Sequence, residues 1–339
     1  MNTTKQTSRR YLMTAVAVIA LISASFTPVM AQTKIAWKLN GDQQATFWWS
    51  QELDALTKDI TAASKGKFEL TFYPASSLGI APADVLAPLS AGKIEMAEFV
   101  ASYVGAEAPY LAVLGLPMVT GSAADLKKKA QAIKPEMERK LAQDYDLKLL
   151  GTLISTPLQL FLGKKEYRGV ASLKNMRIRT QGPDQELFVK SLGATAVQMP
   201  IGDLVTATAT NRIDGSISGT QYYLSQQYQQ FGANLVAWNA LYGQGFLAVS
   251  KKKWNELDPE LQQVIEKSAK AFEDRVWARS ATLEAEVQQQ AIAAGFKIIH
   301  PTESDMKAIS DLATASWKSW ADRNGPVAKH FLEVVLGTK

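Results

Sequence analysis

Arg177 and Arg179 lie in the run Met176-Arg177-Ile178-Arg179-Thr180, whose alternation predicts a short strand ending in a guanidinium. A guanidinium is a rigid fork of donors that matches a carboxylate in a two-pronged fashion, so an arginine at a strand end suits capture of an organic acid. An arginine at such a place is also often an ordinary surface charge. The other residue types narrow the choice. The 339 residues contain two histidines, His300 and His330, and no cysteine. Neither a His/Cys metal cluster nor a Ser–His or Cys–His nucleophile pair is expected from that inventory, and no disulfide can form. Gly41, Gly79, Gly105 and Gly115 are isolated, so no phosphate-binding glycine loop is present. The carboxylate pairs Glu95/Glu98 and Glu273/Asp274 read as solvated charge on strand edges and helix faces. Chemistry by an enzyme is poorly provided for; binding of an anion is provided for well. No cofactor is expected.

The elements that must position Arg179 follow from periodicity. Ile35 to Leu39 and Phe68 to Phe72 alternate as strands around a helix from about Thr46 to Ser64, whose core stripe is Trp49, Leu53, Leu56, Ile60 and Ala63. Pro82 to Gly92 reads as a helix, Ile94 to Val100 as a strand, and Leu114 to Pro117 as a buried strand end. A polar helix runs from Ala123 to about Tyr145, with Pro135 as a candidate break, and a strand from Leu147 to Ile154 follows. In the second half, strands at 158–163, 176–180, 195–199 and 214–218 enclose helices at 183–192 and 202–211. Strands at 236–238 and 245–250 bring the chain back. Strands separated by helices predict an α/β protein with parallel βαβ units. From Asp258, an N-cap followed by Pro259, no Gly or Pro interrupts the sequence until Gly295. A helix of that length is about 50 Å long, so it either crosses two lobes or breaks near Ser280.

The first 31 residues read as an export signal: Lys5, Arg9 and Arg10 without an acid, an apolar run from Tyr11 to Phe26, and small residues at Val29-Met30-Ala31. Cleavage is expected after Ala31, by the general route or, through Arg9-Arg10, by twin-arginine export. Removing three of the 37 basic residues leaves 34 against 32 acidic ones, a net charge of +2. That balance gives no reason to expect nucleic acid as a partner. Roughly 300 remaining residues favour two domains.

Several motifs together resemble the substrate-binding proteins of TRAP (tripartite ATP-independent periplasmic) transporters. Gly66-Lys67 through Tyr73-Pro74 to Leu78-Gly79 is similar to a strand and turn of that family, Leu114 to Pro117 to its Leu-Pro strand end, and Leu173 to Gly215 to its central motif. Val249-Ser250 with Trp254, Leu257 and Leu261 is similar to the entry into its long helix. The resemblance implies a two-lobed periplasmic binding protein fold, mixed sheets flanked by helices, with a long helix spanning both lobes. Lobe I would hold residues 32–155 and about 243–275, lobe II 156–242 and about 276–339. It implies a periplasmic receptor, expected to be a monomer, that passes an organic acid to the small and large membrane subunits of a TRAP permease. Arg179 matches the family's carboxylate arginine and Asn40 a polar ligand contact. Gln159 falls, within one residue, where some relatives hold a second arginine, and Ser218 stands where many have Asn. Val100, near Tyr103, replaces an acidic contact. Trp48, lying off the core stripe, together with Trp238 and Tyr242 would add aromatic surface to the cleft. One arginine and several rings suit a monocarboxylate with an apolar or aromatic body. The alternatives are a C4-dicarboxylate receptor, a sensory receptor and a secreted enzyme on the same fold.

Overall fold

The computed structural model describes residues 34–338, so the export segment lies outside the described residues. The first half contains β1 (Ile35–Asn40), α1 (Trp48–Ala63), β2 (Phe68–Tyr73), α2 (Leu86–Ser90), β3 (Met96–Val100), α3 (Ala101–Val104) and α4 (Ala123–Tyr145). The strand β4 (Leu147–Gly163) leads to β5 (Arg177–Thr180), α5 (Pro183–Ser191), β6 (Thr195–Gln198), α6 (Leu204–Ala209), β7 (Gly215–Gly219) and α7 (Thr220–Ser225). A second long strand, β8 (Asn234–Ser250), precedes α8 (Lys251–Trp254), α9 (Pro259–Ala293), β9 (Lys297–Ile299) and α10 (Glu303–Leu336).

All nine strands join one sheet in the order β2-β1-β3-β8-β4-β7-β5-β6, with β9 beside β8. The centre of this sheet departs from the sequence reading. The strands expected at 147–154 and 158–163 are one strand of 17 residues, and so are those expected at 236–238 and 245–250. β4 and β8 pair antiparallel along their length, with register shifts such as that between Ile154 and Pro157. A shift of this kind carries extra residues without breaking the strand, which is why the pattern read as two pieces. Leu114 to Gly115 also departs, forming the end of a 3₁₀ turn over Pro109–Gly115 rather than a strand.

Four buried clusters cover the sheet. On the β2-β1-β3 half, one gathers Trp37, Leu53, Phe68, Ile265 and Phe272 beneath α1 and α9. The other gathers Phe99, Leu111, Leu126, Phe246 and Phe331 beneath α4 and the end of α10. The β7-β5-β6 half is covered by clusters around Phe188 and Trp238 on one side and Tyr223 and Tyr228 on the other.

α9 is a single helix of 35 residues, about 52 Å long at 1.5 Å per residue. Asp258 caps it by accepting from Leu261 N–H at 2.8 Å, with Pro259 at the first helical position. Its stripe supplies Ile265, Phe272, Leu283 and Val287 to one half and Ala291 to the other. α4 runs through Pro135 without ending. The expectations gave no account of α10. A capping box between Thr302 and Asp305 starts it, and Gly325 (φ 80°) kinks it ahead of Pro326. Its Ile309 and Ala313 pack under β5 and β7, while Trp320, Phe331 and Val335, grouped with lobe II in the sequence reading, pack in the α4 cluster.

Candidate functional site

β5 pairs in parallel with β6 and β7, and Arg179 stands one residue from its C-terminal end. Its side chain is completely buried. Nε and Nη2 donate to the Met199 carbonyl at 3.1 and 2.9 Å, and Nη1 to the Ile217 carbonyl at 3.0 Å. Nη2 also donates to the Tyr103 hydroxyl at 3.4 Å. Four of the five N–H groups of a guanidinium are thereby used, and every acceptor is neutral. Among the described residues no carboxylate pairs with Arg179. A buried cation without an anion is costly, so the position asks for one.

Tyr103 belongs to α3 on the other half of the sheet. Its hydroxyl also accepts from Ile201 N–H at 3.1 Å, so it joins the halves at the arginine. Burial raises its pKa; Arg179 pulls it down and Asp42 pushes it up. A second joint lies one residue earlier. Ser102 Oγ donates to Asp184 Oδ2 at 2.7 Å, and Gly182 is packed directly on α3.

Beside these contacts is a small cavity of about 30 Å³, room for one or two waters. Phe47, Trp49 and Val100 line it from one half, Ile201, Ser218 and Tyr222 from the other. Ser155 and Thr156, carried by the register shift in β4, line the strand between them.

Of the residues singled out in the sequence, Arg179 and Tyr103 meet, and Ser218 lines the cavity. Asn40 is fully buried at the end of β1 with both amide atoms unpartnered. Four positions need correction. Trp48 packs beside Phe47 and Trp49 in the α1 cluster, and Trp49 is the one that lines the cavity. The cavity is a gap in the core itself, so the core stripe of α1 runs into it. Gln159 turns away from the cavity because neighbouring side chains on a strand point oppositely. Leu158 takes the lining position, and Gln159 Nε2 donates to Asn239 Oδ1 at 2.7 Å and Glu284 Oε1 at 3.1 Å. Trp238 is core: its Nε1 donates to the Leu158 carbonyl at 2.9 Å and its ring packs on Phe188. Tyr242 sits in the α4 cluster, and the adjacent Gly243 lines the cavity. Arg177 is tied to Asp214 at 2.9 Å with its side chain 43% exposed, and that pairing holds the Asp214 carboxyl well below the usual range.

Of the carboxylates read as solvated, Asp274 is exposed, and Glu98 and Glu273 are the clearest misses. Glu98 is fully buried beside Asp42, and Glu273 is held by Lys134 and Thr152. Burial pushes Asp42, Glu98 and Asp184 upward, the last to about 6. Acids with raised folded pKa values stabilise most below their unfolded pKa, and that stability is lost as pH rises through the folded value. Apo melting temperature should therefore fall as pH rises from about 4 to 7, with Asp184 contributing on the order of 3 kcal/mol that is lost between about pH 4 and 6. Asp184→Asn should flatten the profile; a melting temperature that rises over this range would contradict the assignment.

An anion-seeking guanidinium between two halves of one sheet, beside a cavity that both halves line, is the plan of a solute-binding receptor. Sequence comparison makes the class specific. The profile described as DctP, bacterial extracellular solute-binding protein, family 7, matches residues 42–324, and the chain belongs to this family, the solute receptors of TRAP transporters. The 2,3-diketo-L-gulonate-binding periplasmic protein YiaO of Escherichia coli is 25% identical over 253 residues, covering 73% of this chain and 75% of the relative. A solute-binding protein of Albidiferax ferrireducens is 23% identical over 335 residues, covering 95% and 97%. Among solved structures, an extracytoplasmic solute receptor of Bordetella pertussis binding pyroglutamic acid superposes with a TM-score of 0.83 at 23% identity, covering 88% of this chain and 99% of that one. A TRAP periplasmic solute-binding protein of Haemophilus influenzae with bound L-gulonate gives 0.82 at 21%, covering 90% and 100%. At these identities the structural likeness establishes the shared fold. Among the described residues, no helix is long and apolar enough to cross a membrane.

Proposed function

We propose that this protein captures an organic monocarboxylate by pairing its carboxylate with Arg179, and hands it to the membrane subunits of a TRAP permease. The observation that carries this reading is the buried Arg179 guanidinium, held by neutral acceptors only, where the two halves meet. A monocarboxylate is favoured over a dicarboxylate because the nearest second cation on the same strand, Arg177, is committed to Asp214 on an exposed face. Pyroglutamic acid and L-gulonate, bound by the two similar receptors, are monocarboxylates too.

A cavity with room for one or two waters cannot admit such a ligand as it stands. The halves therefore open for entry and close on the acid, a hinge motion about β4 and β8 near residues 155 and 243, where the chain crosses between lobes. The lobes are residues 32–155 with about 243–275 and the end of α10, and 156–242 with the rest of α9, β9 and the start of α10. We place the mature protein in the periplasm, cleaved after Ala31. Calorimetric titration with matched mono- and dicarboxylates tests the reading. A monocarboxylate should bind more tightly than succinate or malate; tighter succinate binding would mean that a second cation serves the site.

A further inference from the structure

Buried polar atoms without a partner among the described residues include Asp42 Oδ1, Glu98 Oε1 and Trp49 Nε1. Asp42 and Glu98 are 5% and 0% exposed. Each is oriented by one backbone donor. Asp42 N–H donates to Glu98 Oε2 at 3.1 Å, and Val100 N–H donates to Asp42 Oδ2 at 3.2 Å. That leaves one oxygen of each carboxyl with nothing to accept from. No lysine, arginine or histidine pairs with either among the described residues. Such groups are expensive to bury for structural reasons alone.

The pair adjoins residues that line the cavity. Val100, whose N–H holds Asp42, lines it, and so does Gln43, the next residue along from Asp42. Across the sheet, Gly243 lines the cavity, and a Cβ placed on Gly245 would stand 3.6 Å from Glu98 Oε1. Trp49, 2% exposed, lines the same cavity with its Nε1 proton unused. Tyr103 links this pair to the arginine: Asp42 lies close enough to push its pKa up, and its hydroxyl accepts from Arg179 Nη2 at 3.4 Å.

We infer that Asp42 and Glu98 form a second ligand subsite, so that the acid held by Arg179 also carries a hydrogen-bond donor (hydroxyl, amide N–H or ammonium) that these carboxyls accept. The inference rests on the carboxylate reading of Arg179 and adds the chemistry of the ligand's other end. Trp49 Nε1 serves an acceptor beside that donor. A purely apolar body would leave all three atoms unpaired inside the closed protein, where an unmade hydrogen bond costs most.

The test is calorimetric titration of the unaltered protein with acids of matched shape. In the five-membered ring set, pyroglutamate carries an amide donor and proline an ammonium. Tetrahydrofuran-2-carboxylate offers only an acceptor, and cyclopentanecarboxylate neither. Gluconate and hexanoate form the open-chain pair. A donor-bearing acid should bind at least tenfold more tightly than its donor-free counterpart. Glu98→Gln should erase that advantage while leaving the donor-free acid unaffected. Its amide oxygen would stay on Asp42 N–H and its amino group would face the ligand donor. Asp42→Asn should do the same through Val100 N–H. Donor-free acids binding as tightly as their counterparts, with both lost in Arg179→Ala, would overturn the donor subsite and leave the arginine site standing. Binding by no acid of either set would overturn both.

Discussion

Arg179→Ala is expected to abolish capture at ligand concentrations that saturate the wild-type receptor. In the closed protein the ligand carboxylate would be buried without its cation, and breaking a buried charge pair costs about 3–5 kcal/mol, roughly 10² to 10³-fold or more in affinity. Arg179→Lys keeps the charge, but an ammonium cannot hold Met199 and Ile217 carbonyls and grip a carboxylate with the remaining geometry. It should bind more weakly than wild type and more tightly than the alanine variant. The same bonds give Arg179 a structural share. Two buried carbonyls lose their donor in Arg179→Ala, costing about 1–3 kcal/mol, so the apo melting temperature should fall by several degrees while the fold persists. Near wild-type affinity in Arg179→Ala would remove the arginine from the site.

Gly182→Ala should weaken binding for a different reason. A Cβ at Gly182 would stand 2.0 Å from the Ser102 carbonyl oxygen and 2.8 Å from Asp184 Oδ1. Neither neighbour is a flexible chain end: one is backbone of α3 and the other a carboxyl fixed by Ser102 Oγ. Ser102 belongs to the opposite half from Gly182, so opening the receptor removes the 2.0 Å contact and closing it restores the clash. Overpacking of this kind costs about 1–3 kcal/mol or more, which closure draws from binding energy: roughly fivefold to over a hundredfold in affinity. The apo melting temperature should hardly move. A large fall in melting temperature with unchanged affinity would instead assign the contact to a static core.

Much of this was legible in the sequence because it depends on local pattern. Asp258, Pro259 and the uninterrupted stripe to Gly295 specify α9, and the alternation around Arg179 specifies β5. What was not legible depends on which face of an element meets which neighbour. Gln159 and Leu158 differ by one residue, yet alternation sends one to Glu284 and the other to the cavity. Helical phase sets Trp48 apart from the core stripe, yet both tryptophans are buried in one cluster and it is Trp49 that lines the cavity. Glu98 looked like surface charge because nothing in its own strand shows that Asp42, 56 residues earlier, would fold against it.

The most direct test of the central claim changes only the ligand group that Arg179 should grip. The tightest-binding acid and its primary carboxamide, alike in shape but differing in charge, are titrated by calorimetry into wild type and Arg179→Ala. A carboxylate held by this guanidinium predicts that the amide binds wild type at least a hundredfold more weakly than the acid, and that the difference disappears in Arg179→Ala. Equal binding of acid and amide by wild type, or an undiminished difference in the variant, would contradict it.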